Sequence, residues 1–336
     1  MEHLMAVILA AGEGKRMKSR KSKVLHKACG ITLIDWVYRS VKAANVDETV
    51  IIVGHKAEDV KKSMGDSVLY AYQDKQLGTG HAVMQAEEYF KGKEGQVLVL
   101  CGDTPLITSE TVSNTFKIHR QNNNSATVIT AELINPAGYG RIVRDKSGNV
   151  MKIVEDRDAS KEEKAISEIN SGMYCFNIKD LEAALGELGN NNSQGEYYLT
   201  DTIEILIKKG LKVGAVKVND SNEILGINDR VQLSMAGEIL RKRILTEHMK
   251  NGVTVIDPDS TYIDVDVQIG MDTIVYPSSI IERGTVIGED CIIGPSSRIA
   301  GSKIANGVKI INSVVLESSI DDGTSIGPFE YIRPAL

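Results

Sequence analysis

Two glycines and a group of cations stand near the start of the chain, between Leu9 and Lys23. Glycines let backbone N–H groups approach a ligand closely, and successive amides in a turn form an anion-binding concavity. Lysine and arginine add the charge that phosphate binding uses. These residues indicate polyphosphate binding, although a glycine-containing βα turn with a solvated basic helix start explains them equally well. They are Gly12, Gly14, Lys15, Arg16, Lys18, Arg20, Lys21 and Lys23.

A second chemical candidate is Asp103, which follows the apolar run Val97–Cys101 and precedes Thr104-Pro105. A carboxylate at this place suits Mg²⁺, which prefers hard oxygen ligands together with substrate phosphates. An aspartate that simply forms a turn before proline is the alternative. The phosphate-type loop expected at the same sheet edge favours the metal.

Polar residues in later loops are candidates for substrate contacts. Gln73 and the run Gln76–Ala82 (Q-L-G-T-G-H-A) follow a predicted strand, and a glutamine amide both donates to and accepts from a base edge. Thr79 is also a typical helix N-cap. Glu155 and Asn170 offer hydrogen bonds to a sugar, although each alone is typical of a surface or turn.

The first part of the chain alternates apolar runs with helical patterns, which predicts an α/β fold with a largely parallel sheet. In such sheets ligands bind beyond the carboxyl ends of the strands, where the glycine loop and Asp103 fall. The predicted strands are Ala6–Leu9, Thr49–Val53, Val68–Tyr72 and Val97–Leu100, and the predicted helices are Leu33–Ala44 and Gly80–Phe90.

From Ser125 the pattern changes and predicts an inserted antiparallel part, so that the sheet becomes mixed. Lys146-Ser147-Gly148-Asn149 between two short apolar runs is a hairpin signal. The predicted strands are Ala126–Glu132, Arg141–Arg144, Val150–Val154, Ile169–Asn177 and Val213–Val218, and Tyr198–Lys209 is a predicted helix.

The remaining chain is a helix followed by a hexapeptide repeat. Asp229 to about Lys250 predicts a connector helix whose apolar stripe begins at Val231 and Leu233. Aliphatic residues then recur at every sixth position, which is typical of a parallel β-helix. We therefore divide the chain into 1–228, 229–250 and 251–336. The last hexad stops at Leu336, inside a coil, so we expect a longer natural protein. The aliphatic series is Ile263, Ile269, Val275, Ile281, Ile287, Ile293 and Ile299, resuming at Ile320, Ile326 and Ile332.

Composition excludes several classes of protein. The 336 residues carry a net charge of −6, which gives no general attraction to nucleic acid. No apolar run approaches the roughly 20 residues that a membrane span needs. The four cysteines are scattered and the six histidines lack metal-ligand spacing, so we expect free thiols, no zinc site and a cytoplasmic location.

Taken together, the motifs resemble the sugar-nucleotide pyrophosphorylases that carry a left-handed β-helix. The chain closely resembles the bacterial bifunctional family that combines N-acetylglucosamine-1-phosphate uridyltransferase with glucosamine-1-phosphate acetyltransferase. It implies a Rossmann-like nucleotide-diphospho-sugar transferase domain and covers the whole chain, but only the first part of the family's second domain. The motifs are L-x-A-G-x-G-x-R-M from Leu9, Lys23, Q-L-G-T-G-H-A, G-D-T-P, G-Y-G-R-I, Ile153–Glu155, Glu168–Asn170, Asn190–Asp201 and Ile227–Arg230.

The resemblance implies a role for individual residues. Arg16 and Lys23 neutralise the triphosphate as the catalytic cations, and Asp103 and Asn228 ligate Mg²⁺. The nucleotide contacts are Leu9, Ala10, Ala11, Gly12, Gln73, Gly78 and Thr79, the sugar contacts are Gly140, Glu155, Asn170 and Thr200, and Arg333 matches a contact of the second activity's acceptor.

The implied reaction joins UTP and N-acetylglucosamine 1-phosphate to give UDP-N-acetylglucosamine and pyrophosphate. The sugar phosphate oxygen attacks the α-phosphorus in line, and because it is already an anion, no general base is needed. The resemblance also implies a homotrimer. We expect acetyl transfer to be lost, since the family uses later coils for it. The alternatives are a pyrophosphorylase for another sugar 1-phosphate or a non-catalytic scaffold subunit.

Two residues depart from the family pattern. Lys15 stands where many members have threonine or serine, and Ser22 stands where many have proline before the lysine. Loss of that proline predicts a more mobile loop before substrate binds.

Overall fold

The computed structural model describes residues 3–192 and 194–334. Two residues of the sequence motifs, Ser193 and Leu336, lie outside this part. The chain divides into two compact units, the first formed by Met1–His26 with Leu33–Gln232 and the second by Lys27–Thr32 with Leu233–Leu336. The division falls after Gln232, and the assignment of a short N-terminal segment to the second unit was not indicated by the sequence.

Strands and helices alternate along the first part of the chain. The strands are β1 His3–Leu9, β2 Lys27–Ala28, β3 Ile31–Thr32, β4 Glu48–Val53, β5 Leu69–Tyr72, β6 Gly95–Cys101, β7 Ala126–Glu132, β8 Arg141–Arg144, β9 Val150–Val154, β10 Glu168–Asn177 and β11 Val213–Lys217. The helices are α1 Leu33–Ala43, α2 Ala57–Met64, α3 Thr79–Met84, α4 Glu87–Phe90, α5 Ser109–Gln121, α6 Lys161–Lys164, α7 Ile178–Leu185, α8 Asp201–Lys208 and α9 Arg230–Lys250.

The first unit is built on a mixed sheet in the order β11-β7-β10-β6-β1-β4-β5, with β8 and β9 attached beside β10. β1 is parallel to both β6 and β4, whereas β10 is antiparallel to β6 and β7. Leu9 pairs with Cys101, so the loops that follow β1 and β6 leave the sheet at the same edge. The predicted mixed α/β sheet is confirmed.

Apolar residues on both faces of the sheet explain its continuous apolar strands. One core layer lies between the sheet and helices α3, α4, α7 and α8. The other lies between the sheet and helices α1, α2 and α5. Strands that are buried on both faces read as uninterrupted apolar runs, and β1 and β6 show this pattern.

Some details differ from the sequence prediction. The predicted helix Gly80–Phe90 is two helices, α3 and α4, separated at Gln85–Ala86. Helix α5 was not predicted, although Thr108 caps it by accepting a hydrogen bond from the Thr111 N–H. In β10 the register with β7 shifts between Asn170 and Tyr174, which is a β-bulge.

The second unit contains three parallel sheets of short strands stacked as the coils of a β-helix. Their orders are β12-β15-β18-β21-β24, β13-β16-β19-β22-β25 and β14-β17-β20-β23. The strands are β12 Thr254–Val255, β13 Tyr262–Ile263, β14 Gln268–Ile269, β15 Ile274–Val275, β16 Ile280–Ile281, β17 Val286–Ile287, β18 Ile292–Ile293, β19 Arg298–Ala300, β20 Lys303–Ile304, β21 Lys309–Ile310, β22 Val314–Leu316, β23 Ser319–Ile320, β24 Ser325–Ile326 and β25 Tyr331–Ile332.

Most of the predicted aliphatic positions of the hexads are buried, whereas Ile269, Ile320 and Ile332 are only partly buried. The register slip after Ile299 has a simple cause, because three of the steps that follow are five residues long instead of six: Ile299 to Ile304, Ile310 to Val315 and Val315 to Ile320. Ile304 follows Ile299, and Val315 follows Ile310, yet Ile304 pairs with Ile287 and Val315 with Ile299. The core therefore continues through residues that a strict six-residue spacing misses.

Helix α9 agrees with the predicted bounds but only partly with the predicted stripe. Ala236, Leu240, Ile244 and Leu245 are buried, whereas the prediction that Val231 is buried was wrong, because its side chain is 70% exposed. In the second unit, the β2–β3 hairpin packs against the β-helix at Gly30, where an added Cβ would lie 2.6 Å from the Asp264 carboxyl carbon.

Glycine at position 270 permits the coils to stack. A Cβ there would lie 2.6 Å from the Gly288 carbonyl carbon, which is backbone of the next coil and cannot move alone. We predict that Gly270→Ala lowers the free energy of unfolding of the second unit by about 1–3 kcal/mol.

The matched control is Gly237→Ala in α9, where a Cβ meets nothing within 4 Å. This change should raise stability by roughly 0.5–1 kcal/mol, because alanine is the better helix former. Thermal unfolding of the three proteins tests the pair. Equal effects of the two substitutions would contradict the stacking argument.

Candidate functional site

Lys23 contacts two other candidate residues at the sheet edge. Its ammonium donates to the Asp103 carboxylate and to the Asn228 side-chain oxygen, the latter at 3.1 Å. The Lys23 and Asp103 side chains are each only 16% exposed. Three residues that the sequence placed far apart therefore meet, as predicted from the sheet topology for Lys23 and Asp103.

The backbone holds these three residues in place. The Ile227 N–H donates to the Asp103 carbonyl oxygen at 2.8 Å, which ties the segment before Asn228 to the loop after β6. The Gly102 N–H in turn donates to the Leu9 carbonyl oxygen at 2.9 Å. The loop after β6 and the segment before Asn228 therefore extend the hydrogen bonding of the sheet beyond its strands.

Glycine at position 14 is required for Lys23 to reach this point. Gly14 has a positive φ of 63°, and a Cβ there would lie 2.6 Å from the Lys23 Cβ. Gly12 differs, because nothing lies within 4 Å of its Cβ position. Gly14 therefore allows close packing, whereas Gly12 leaves open space beside the backbone.

A cavity of about 290 Å³ lies beside the carboxyl ends of β1 and β6. Gln73 is 4% exposed at its wall, and its side-chain N–H group donates to the Gly78 carbonyl oxygen and contacts His81 Nδ1, both at 3.1 Å. These contacts fix the orientation of the amide. The predicted residues that line the cavity are Leu9, Ala10, Ala11, Gly12, Lys23, Gln73, Gly78, Thr79 and Asp103.

A second cavity, of about 440 Å³, lies on the cationic side of the same loop. Gly12, Arg16, Lys23 and Asn228 line it, and Gly12 and Lys23 line both cavities. Arg16 is exposed and forms no ion pair within the described residues, whereas Lys15 pairs with Glu13 at 2.8 Å. Arg16 is thus an available cation at the mouth of this cavity.

The residues predicted to hold the sugar form a separate cluster. The Asn170 N–H donates to the Gly140 carbonyl oxygen at 2.8 Å, and a Cβ on Gly140 would lie 3.5 Å from a Glu155 carboxyl oxygen. Burial raises the pKa of Glu155, helped by the charge of Asp201 and opposed by a hydrogen bond from Thr200. The structure therefore brings Gly140, Glu155, Asn170 and Thr200 together.

Cys101 connects this cluster to the first cavity. Its thiol lines the cavity with Asp103, and its Sγ lies 3.8 Å from the Gly172 carbonyl oxygen, two residues after Asn170. Burial raises the pKa of Cys101 to about 12, so the thiol stays protonated and is not a nucleophile.

His26, which lies near the site, is held by a contact with Arg230. Arg230 contacts His26 Nδ1 at 3.1 Å, and because a guanidinium only donates, this nitrogen is the acceptor. Burial, with the nearby charges of Arg230 and Lys21, lowers the pKa of His26. His26 thus accepts from Arg230 as a neutral imidazole and links the loop to the start of α9.

The donor set around Lys23 fits a magnesium ion. It offers a carboxylate from Asp103 and an amide oxygen from Asn228, both hard ligands, and the lysine ammonium already lies between them as a cation. Within residues 3–192 and 194–334, no group of three or more His, Cys, Asp or Glu side chains is placed to hold a metal. A two-ligand site that is completed by water and substrate phosphates agrees with both observations.

Several residues at the site were missed as individual candidates. Gln76 lines both cavities, and Cys101 and Glu196 line the first. Gln76 could have been found from its motif, whereas Cys101 occupies an ordinary strand-end position.

Arg333 lies in the second unit, is exposed, and has its guanidinium 5.7 Å from the Tyr331 ring.

Comparisons with known proteins agree with this arrangement. The nucleotidyl transferase family matches residues 5–226, and the bacterial transferase hexapeptide family, with six repeats, matches residues 266–301. The bifunctional protein GlmU of Acetivibrio thermocellus is 70% identical over 334 residues, which cover 99% of this chain and 72% of that protein. The chain belongs to the GlmU family.

Other GlmU proteins are similar over the same span. The protein of Caldanaerobacter subterraneus subsp. tengcongensis is 55% identical over 99% of this chain and 73% of its own length. That of Clostridioides difficile is 52% identical over 98% of this chain and 72% of its own length. These matches confirm the predicted bifunctional family, the uridyltransferase class and the hexapeptide β-helix. The expected loss of acetyl transfer stays a prediction.

Ser22, one of the two residues that depart from the pattern described above, is fully buried. Its φ of −56° suits proline, and its hydroxyl has no hydrogen-bond partner within the described residues. We predict that Ser22→Pro raises the free energy of unfolding by about 0.4–1 kcal/mol, because it restricts the unfolded chain.

Ser22→Ala is the control, since it removes the hydroxyl without restricting φ. Urea denaturation of the three proteins makes the comparison. A Ser22→Pro protein that is less stable than Ser22→Ala would show that the loop cannot accept the ring.

Proposed function

We propose that the first unit transfers a uridylyl group from UTP to N-acetylglucosamine 1-phosphate. An oxygen of the sugar phosphate forms a bond to the α-phosphorus. The bond from that phosphorus to the bridging oxygen breaks, and pyrophosphate leaves with the electron pair. The products are UDP-N-acetylglucosamine and pyrophosphate.

The observation that supports this most strongly is the contact of Lys23 with Asp103 and Asn228 between two cavities. The first cavity is lined mainly by loop backbone, apolar residues and two glutamine amides, together with Lys23, Asp103 and Glu196. The second is rich in cations, with Lys15, Arg16 and Lys23 beside Glu13. A nucleoside triphosphate has the same division between a neutral base and ribose and a charged phosphate chain. Lys23 lines both cavities, which supports a role for it near the α-phosphate, where the nucleoside and the phosphate chain join.

Catalysis by positioning and charge neutralisation fits these residues. Arg16 and Lys23 bind the triphosphate and stabilise the charge that develops on the leaving pyrophosphate. No base is required, because the attacking phosphate oxygen is already ionised at neutral pH. The contact of His26 with Arg230 and of His81 with Gln73 supports this, since both rings are held by neighbours.

Asp103 and Asn228 would hold Mg²⁺ when the substrate is bound. The ion supplies Lewis-acid neutralisation of the phosphate oxygens. Lys23 would then give up its two protein partners and direct its ammonium to the phosphate chain. Asp103, which pairs with Lys23 before substrate binds, would thus exchange the lysine ammonium for the metal ion.

Gln73 is proposed to select uracil. Its side-chain nitrogen is committed to Gly78 and His81, so its oxygen is the atom that remains to meet a ligand. An acceptor at this position complements the N3–H of uracil, whereas cytosine presents an acceptor there. The backbone of Leu9, Ala10, Ala11 and Gly12, with Gly78 and Thr79, completes the nucleoside wall.

Gly140, Glu155, Asn170 and Thr200 are proposed to hold the N-acetylglucosamine part. Their cluster offers a carboxylate, an amide and a hydroxyl, which together match the alternating donors and acceptors of a sugar. Gly140 stands directly beside two of these side chains, because a Cβ there would lie 3.5 Å from the Glu155 Oε1 and from the Asn170 Cβ.

The assembly and location follow from other features. We propose a homotrimer formed through the hexapeptide β-helix, and a monomeric mass in sedimentation equilibrium would contradict it.

The described residues contain no helix that is long and apolar enough to cross a membrane. The four cysteines are free thiols, which fits the proposed cytoplasmic compartment. The role of Arg333 in binding the acetyl acceptor also stays a proposal.

We predict Mg²⁺-dependent pyrophosphate release with UTP and N-acetylglucosamine 1-phosphate, and little with glucose 1-phosphate or with ATP. A coupled pyrophosphate assay over a panel of sugar 1-phosphates, with and without EDTA, measures it. Release only with another sugar would favour the other pyrophosphorylase, and no release with any pair would leave a scaffold subunit.

The same assay distinguishes a catalytic role of Lys23 from a general effect of positive charge in the loop. Lys23→Met should reduce kcat about 100-fold or more, the range seen on removal of one preorganised charge-stabilising donor. Arg20→Met is the control, because Arg20 is exposed in the same loop and lines neither cavity. Its kcat should stay within about twofold.

A further inference from the structure

The β-bulge in β10 lies at the residue proposed to bind the sugar. Asn170 pairs with Thr130 of β7 and Tyr174 pairs with Val128, so Ser171, Gly172 and Met173 lie opposite Ile129 alone. Such bulges re-aim side chains and are enriched next to active sites. The bulge needs glycine at position 172, where φ is 76°.

The side chain of Asn170 closes this bulge. Its oxygen accepts a hydrogen bond from the Gly172 N–H at 3.0 Å. Because a backbone N–H only donates, the amide oxygen must face Gly172, and the amide nitrogen must face the opposite direction. The orientation of the amide is therefore set by the protein and does not depend on a ligand.

Tyr174 receives that amide nitrogen. Asn170 Nδ2 donates to the Tyr174 hydroxyl at 2.7 Å, and the two residues are only 7% and 1% exposed. The Tyr174 ring lies in the core beside Phe176, with ring centroids 5.7 Å apart. The hydroxyl is thus a fixed acceptor on a rigid ring, and the second Nδ2 hydrogen has its direction fixed by the first.

We propose that Tyr174 is a positioning residue for the sugar 1-phosphate: its buried hydroxyl locks the Asn170 amide so that the remaining N–H is presented to the sugar. This rests on the proposed function, in which Asn170 contacts the sugar. Tyr174 itself touches no substrate. The alternative is that Tyr174 only fills the core, in which case its hydroxyl is irrelevant to substrate binding.

Tyr174→Phe removes the hydroxyl and keeps the ring. We expect the KM for N-acetylglucosamine 1-phosphate to rise roughly five- to tenfold, the factor that corresponds to one lost hydrogen bond. The KM for UTP should stay within about twofold, because the nucleoside cavity does not include this residue. A purely structural role would change both KM values alike or neither.

The control is Tyr89→Phe. Tyr89 also packs against the core of the first unit and donates its hydroxyl to the Tyr70 carbonyl oxygen at 2.9 Å, with no contact to Asn170. Removing this hydroxyl tests whether loss of any hydrogen-bonded tyrosine hydroxyl at the core of the first unit affects sugar binding. Both KM values should stay within about twofold of wild type.

A double-mutant cycle with Asn170→Ala decides between the two roles. If Tyr174 acts through Asn170, adding Tyr174→Phe to Asn170→Ala gives no further rise in the sugar KM. Additive effects would overturn the proposal. Where Tyr174→Phe lowers stability too far for the assay, Gly172→Ala perturbs the same bulge and should raise the sugar KM selectively.

The outcomes also separate this inference from the proposed function. Wild-type protein that releases no pyrophosphate contradicts the proposed function itself. Active wild type with a raised sugar KM in Asn170→Ala but an unchanged one in Tyr174→Phe overturns the positioning role alone. An unchanged sugar KM in Asn170→Ala removes Asn170 from the sugar site and overturns the inference with it.

Discussion

The ion pair between Lys23 and Asp103 is the interaction on which the site depends. It joins the cationic loop after β1 to the loop after β6, and Asn228 adds a third segment. A charge that is largely removed from water is costly unless a partner compensates it. In the free protein the lysine and the carboxylate therefore compensate each other, and the site is assembled before any phosphate arrives.

The sheet explains why these residues can meet at all. β1 and β6 are parallel neighbours in register, so the residues that follow them emerge at one edge. The Gly102 and Ile227 N–H groups then continue the hydrogen bonding beyond the strands. On the antiparallel side, the bulge of β10 brings the Gly172 carbonyl oxygen to 3.8 Å from the Cys101 Sγ at the end of β6. The residues proposed to contact the nucleotide and the sugar thus belong to the two differently paired halves of one sheet.

Much of this could be predicted from the sequence because it depends on local pattern. Apolar runs fixed β1, β4 and β6, and parallel order placed Asp103 near the cationic loop. The six-residue spacing identified the β-helix, although the shortened faces at Ile304 and Val315 obscured its continuation. These features follow from periodicity and from strand order alone.

Other features depend on contacts that no local pattern contains. The meeting of Asn228 with Lys23 required a resemblance, since an asparagine before a helix is an ordinary cap. The bulge at Asn170 depends on pairing with β7, and the burial of Arg241 in α9 depends on the packing of the second unit. The placement of the hairpin Lys27–Thr32 with the second unit depends on the space around Gly30.

The most direct test of the central claim is the affinity of Asp103→Asn for UTP, measured by calorimetry in EDTA and in Mg²⁺. If the carboxylate restrains Lys23 and serves the metal, removing its charge has opposite effects in the two conditions. The account predicts tighter UTP binding than wild type in EDTA, where Lys23 is released, and weaker binding in Mg²⁺. Weaker binding than wild type in both conditions would contradict it.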